Sequence, residues 1–190
     1  MMSGSMTRRG VLSGAVAIAG VSALPRFLNP HSAIGHVVVD ERLSHSAAFA
    51  SGFTAARMHV VNALDDLCNS WYTRLRQQVL ADAGHIAGLT TWMDYLVMRG
   101  CAGEIAYAGA FHAEHSPAGA GLTHAVTAHP DLATQLALLA QPRKWASAMG
   151  EALASGAHLR SRFVPGQVFC ATTAVSSAPQ RMVTWVFSPR

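Results

Sequence analysis

The sequence predicts one α/β domain: a small, mostly parallel sheet with helices on both faces. Three observations carry this. The chain has 190 residues, 51% of them hydrophobic and 13% charged, enough for one compact core and too few for two well-developed ones. Short β-branched runs alternate with apolar stripes at helical spacing. Their order is strand, helix, strand, helix, helix, strand, the order of βαβ crossovers.

His36-Val37-Val38-Val39 followed by Asp40-Glu41-Arg42 is a buried strand reaching its polar end. Ser44 or Ser46 then caps a helix carrying Phe49 and Phe53 to about Ala56, and Met58 to Asn62 is a second strand. Leu64, Leu67, Cys68, Trp71, Tyr72, Leu75 and Val79 form one helical stripe, with Asn62 or Asp65 near its start. Residues 83 to 88 are expected to be a flexible loop. A further helix begins near Thr90 or Thr91, with Asp94 completing a capping box, Leu89, Trp92, Met93, Leu96 and Val97 facing inward, and Gly100 closing it.

Glu104 to Phe111 is the third strand, and 116 to 121 is a Pro/Gly-rich loop. Leu132 to Leu139 and Trp145 to Leu153 are one helix broken near Pro142 or two short ones. Gln167 to Thr172 and Met182 to Phe187 finish the sheet, with room for an antiparallel C-terminal edge. The architecture expected is three-layered and Rossmann-like, with ligands outside the carboxyl ends of the strands.

The first residues carry a different signal. Thr7-Arg8-Arg9-Gly10-Val11-Leu12-Ser13 precedes a Gly/Ala-rich apolar run that ends in Val21-Ser22-Ala23. This is similar to a twin-arginine (Tat) export signal, with paired arginines, Leu at the expected offset and a small-x-small cleavage pattern. The run is too short and too diluted by Gly and Ser for a permanent span. The resemblance implies a signal at 1–23, a mature domain at 24–190, the Tat translocase as a partner and a periplasmic address. Such signals carry proteins already folded, so it also raises the expectation of a ligand, a cofactor or a co-exported enzyme subunit, without saying which.

The net charge is +4 and the isoelectric point about 9.4. Setting Arg8 and Arg9 aside leaves 12 basic residues against 10 acidic, a net of +2 with a single lysine, Lys144. That balance does not point to a nucleic-acid partner or an anionic membrane. Cys68, Cys101 and Cys170 are an odd set with no Cys-x-x-Cys spacing, which excludes thioredoxin-like and zinc-ribbon readings. Cys68 falls on the apolar stripe as a core residue, and a Cys101–Cys170 disulfide is left open.

Phe111-His-Ala-Glu-His-Ser-Pro117 concentrates titratable groups. If the three strands are parallel, their carboxyl ends bring Asp40 and Glu41, Asn62, and His112, Glu114 and His115 to one rim. Asp40, Glu41, Glu114 and His115 are the candidate catalytic groups, since a carboxylate beside an imidazole can exchange protons when burial shifts their pKa values. Asn62, His112, Thr90 and Thr91 are the candidate ligand-binding residues.

On a continuing strand His112 and Glu114 share one face and His115 takes the other, so at most two metal ligands arise locally; the metal is left unknown. Residues 84 to 91 could receive an anion at a helix N-terminus. Trp71, Tyr72 and Trp92 read as core, and Trp145 as exposed. No Gly-x-Ser-x-Gly, phosphate-loop, Gly-x-Gly-x-x-Gly or Cys-x-x-Cys-His motif occurs. Three functions stand: an exported accessory or small-ligand-binding protein, which is favoured; a small periplasmic enzyme using the rim; and a structural or assembly subunit whose Ala-rich helices at 131 to 155 dock on a partner.

Overall fold

The computed structural model describes residues 33–54, 56–62, 66–119, 121–128, 144–156, 167–174 and 180–190. The signal segment expected at 1–23 and the helix expected at Leu132 to Leu139 lie outside the described residues. The elements are β1 (Ile34–Asp40), α1 (Ser46–Ala50), β2 (Arg57–Val61), α2 (Leu67–Ser70), a π-helical turn (Trp71–Leu75), α3 (Arg76–Asp82), β3 (His85–Thr91), α4 (Trp92–Glu104), β4 (Tyr107–Ala118), β5 (Gly121–Ala128), α5 (Trp145–Ala154), β6 (Gln167–Ala174) and β7 (Met182–Pro189).

The seven strands form one sheet in the order β2-β1-β3-β7-β4-β5-β6. β1 pairs in parallel with β2 and β3, and the four remaining pairings are antiparallel. The sheet is therefore parallel at one end and antiparallel elsewhere, which corrects the expectation of a mostly parallel sheet. The local cause is the β4–β5 hairpin, in which Ala118 pairs with Gly121. A connection that short can only join antiparallel strands, and Gly119 supplies the positive φ (59°) the turn requires.

Two apolar clusters lie on the two faces. Val37, Val39, Leu89, Ala113, Val126 and Val186 face α1 and α5, meeting Phe49, Phe53, Trp145 and Met149. Val38, Ile86, Val183, Trp185 and Phe187 face the α2–α4 side, meeting Leu67, Trp71, Leu75, Met98 and Ala102. The strands alternate between these faces with the period of two that their sequences show. α1 and α5 cross backbone to backbone: a Cβ on Gly150 would stand 2.3 Å from the Phe49 carbonyl oxygen.

Several expectations change at this level. Residues 85 to 91 are a central strand and not a loop, and Gly88 lies beneath the Trp185 ring, with no free backbone N–H loop for an anion. Hydrogen bonding on both sides overrides the loop-like composition of Ala-Gly-His-Ile-Ala-Gly. α4 does begin at Thr91, which caps Asp94 N, but it runs through Gly100 to Glu104. It turns Met98, Cys101 and Ala102 inward and leaves Met93 and Leu96 exposed. β5 carries a strand where none is expected. Trp145 is fully buried and Cys68 is exposed, each the reverse of its sequence reading.

Candidate functional site

β4 is separated from β3 by antiparallel β7, so it runs in the same direction as β1, β2 and β3. The carboxyl ends of these four strands therefore share one end of the sheet, as expected. β4, however, continues to Ala118, so His112, Glu114 and His115 sit within the strand and not at its tip.

A bulge between Gly109 and Phe111 then decides their facing. It shifts the alternation by one residue, so Tyr107 faces the α2–α4 side while Phe111, Ala113 and His115 face α1 and α5. His112 and Glu114 stay on the α4 side, and His115 leaves them for the opposite face.

On the α4 side the rim is a strip of ion pairs and rings. Asp40, fully buried, accepts Arg42 Nε at 2.7 Å and Nη2 at 2.6 Å on its two oxygens, and the Arg42 backbone N–H at 2.9 Å. Arg42 Nη2 also donates to Asp94 at 2.8 Å, and the Thr91 hydroxyl donates to the same carboxylate oxygen at 2.8 Å. The hydrogen bond to Asp40 holds the guanidinium pKa above its usual range.

Thr90 is buried, accepting Trp185 Nε1 at 2.9 Å. Glu41 is exposed in the turn after β1 and Asn62 is half-buried after β2. Further along, Arg181 donates to Glu114 at 2.8 Å, with its guanidinium carbon 4.6 Å from the Trp92 ring centroid. His112 packs against Tyr95 at 5.1 Å and Trp92 at 6.1 Å. Desolvation lowers its pKa, Glu114 opposing and Arg99 adding to the effect.

On the other face His115 belongs to a different group. Its Nδ1 stands 2.7 Å from His124 Nδ1 and its Nε2 2.8 Å from the Thr184 hydroxyl. Trp145 covers both imidazoles at 4.6 and 4.8 Å between centroids and also meets His45 at 4.9 Å. His115, His124 and Thr184 are each fully buried.

A bond between two Nδ1 atoms holds one proton, so one Nδ1 donates, the other is bare, and at least the accepting ring is neutral. Burial pushes the His115 pKa well below 6.5, with His124, His45 and His112 adding to it. Burial and His45 bring His124 down to about 4. A second pair lies at the amino end of β1: His36 Nδ1 to His59 Nε2 at 3.1 Å, with His36 Nε2 3.1 Å from Asp82. Burial lowers both rings, His59 to about 4, with His36, Arg74 and Arg57 adding to its shift.

Of the eight candidate residues, the structure thus gathers Asp40, Thr91, Glu114 and His112 along one strip, buries Thr90 beside it, places Glu41 and Asn62 on neighbouring turns, and sends His115 to the far face. Sequence reasoning missed Arg42, Arg181 and Tyr95 on the strip, and His124, Thr184 and His45 around Trp145. The alternation Leu122-Thr-His124-Ala-Val126 marks His124 as inward-facing. Its pairing with His115 depends on strand register. Among the described residues no three His, Cys, Asp or Glu side chains are arranged to hold a metal ion, and no helix is long and apolar enough to cross a membrane.

Fold and rim together define a mixed α/β protein whose strip pairs Asp40 and Asp94 with Arg42 and Glu114 with Arg181. No family model, curated protein or solved structure matches the chain.

Proposed function

We propose that the chain is an exported accessory protein that binds a small planar, anionic ligand on the strip formed by Trp92, Tyr95, His112 and Arg181, alone or beside a co-exported enzyme subunit. One observation carries this reading: the two carboxylates on the strip that were candidate bases are already paired, Asp40 with Arg42 and Glu114 with Arg181, while Glu41 stands off the strip on the exposed turn after β1. Arg42 holds Asp40 through both oxygens and Arg181 holds Glu114 through one, so both carboxylates are committed to a guanidinium. What the strip still offers is a half-exposed guanidinium above a ring, which suits stacking and charge.

The Tat-like residues Arg8 and Arg9 support passage through the Tat translocase to the periplasm, and the two buried clusters support a three-layer, Rossmann-like description of the sheet's parallel end. Native mass spectrometry of the protein from the periplasm of its own host, without chelator, tests the reading. The expected mass is that of residues 24–190 plus a small molecule or a larger partner, and Arg181→Ala with Trp92→Ala should lose the small molecule. A bare chain from both wild type and variant would end the proposal.

A second reading, a small enzyme, is favoured by the chain Thr184–His115–His124, the order of a hydroxyl, a base and the group that orients it. It requires that His115→Ala abolish a hydrolytic or transfer activity while the protein stays folded. Unchanged activity in that variant excludes it.

A further inference from the structure

α2 and α3 lead from the carboxyl end of β2 to the start of β3, and α4 from the carboxyl end of β3 to the start of β4. With β2, β3 and β4 running the same way, the two helical segments lie side by side in the same direction. Their register is fixed where the Tyr72 hydroxyl donates to Glu104 at 2.6 Å. One turn back from Tyr72 is Cys68, and one turn back from Glu104 is Cys101. α2 packs directly on α4 there, and burial together with the neighbouring Cys68 pushes the Cys101 thiol pKa up. Cys68 is exposed and Cys101 buried, both as free thiols, while Leu67 and Trp71 beside them pack with Met98 and Ala102 in one cluster.

We propose that Cys68 and Cys101 are a redox pair that closes into a disulfide tying α2 to α4. This does not rest on the ligand-binding reading. Cys170 does not compete for Cys101. It pairs with Ala125, which pairs with Glu114 on β4, and Glu114 lies seven residues, roughly 23 Å, along the strand from Tyr107. Cys101 lies about one helical turn before the end of α4 at Glu104, which two residues separate from that start, so the two Cα atoms are far beyond the separation of about 7 Å that a disulfide spans.

The oxidant is a small or protein disulfide. The exposed Cys68 thiolate attacks one of its sulfurs, forming a mixed disulfide and releasing one thiol. Cys101 then loses its proton and attacks Cys68 Sγ, expelling the second thiol. Two protein thiols are oxidised and one external disulfide is reduced to two thiols. The bond closes a loop that contains all of β3, so the oxidised chain should melt about 10 °C above the reduced one.

The test uses the full chain, reduced and then exposed to oxidised glutathione, with free thiols alkylated before tryptic digestion. The three cysteines fall in separate tryptic peptides, 58–74, 100–143 and 163–181. The expected result is a chain two hydrogen atoms lighter, with 58–74 linked to 100–143, Cys170 alkylated, the same linkage in Cys170→Ser, and the higher Tm. Cys68→Ser, altered only at an exposed position, should fold without it. Linkage of 100–143 to 163–181, linkage only between two chains, or alkylation of both Cys68 and Cys101 after oxidation would each overturn the proposal.

Discussion

At the scale of single residues, the buried imidazoles make stability depend on pH. His124 and His59 are held at about 4, against about 6.5 for a histidine in an unfolded chain. Between those values the unfolded chain binds more protons than the folded one, so stability is fully present above the unfolded pKa and is lost as pH falls toward the folded one. Each group should contribute about 3 kcal/mol to that loss. Urea unfolding from neutral pH down to about pH 4 should show a steep fall, and His59→Gln with His124→Gln should flatten it. An unchanged slope in the double variant would place the protons elsewhere. The same scale separates Asp40 from Glu41, which the sequence could not do. Arg42→Ala leaves a buried carboxylate with only a backbone donor and should cost about 2 kcal/mol. Glu41→Ala, at an exposed turn, should cost under about 0.5 kcal/mol. Denaturation midpoints of the two variants decide.

At the scale of elements, close approach governs. A Cβ at Gly88 would lie 2.2 Å from the Trp185 ring, which is fully buried and tethered to Thr90 through its indole N–H. Gly88→Ala should therefore cost about 3 kcal/mol, and Trp185→Phe should recover part of it in the double variant. Less than about 0.5 kcal/mol for Gly88→Ala would mean that the ring moves freely. These contacts also show why the sequence was legible in places. β1 and β7 were visible because their apolar runs are buried whatever pairs with them, β2 through its β-branched Val60-Val61 although it is a largely exposed edge strand, and the start of α4 because Thr91 and Asp94 cap locally. β3 was hidden because its glycines and alanines suit a ring overhead, a reason located 97 residues away at Trp185. The candidate rim was legible as a direction, since Asp40, Thr91 and Glu114 do share one end of the sheet. That His115 takes the face opposite His112 and Glu114 followed from strand alternation; which layer of helices each face meets did not, because one bulge near the start of β4 sets it. Arg42 and Arg181 were overlooked for a related reason. Whether a carboxylate is free or clamped depends on neighbours that only pairing brings near.

At the scale of the whole molecule, the last strand holds the middle of the sheet. β7 pairs with β3 from Ile86 to Thr91 and with β4 from Tyr107 to His115. The parallel strands β2-β1-β3 and the antiparallel strands β4-β5-β6 are joined in the sheet only through it. Both apolar clusters draw on it as well, through Met182 and Val186 on one face and Val183, Trp185 and Phe187 on the other. The sheet therefore cannot close until residues 182–189 are in place, and that closure needs contacts of long sequence separation, which slows folding. A chain ending before Gln180 should lose cooperative thermal unfolding and its near-ultraviolet tryptophan signal, because each half is left with an open, apolar edge. If instead each half kept a sharp transition of its own, β7 would be a decoration and the sheet two independent units. The outcome bears on the proposed export route. A signal of the twin-arginine kind serves a chain that has finished folding, and this sheet closes only when β7 is in place. The truncated chain, signal intact, should therefore stay inside the cell while the full chain reaches the periplasm. Fractionation of cells expressing the two would show it, and equal export of both would remove folding before transport from the account of this protein.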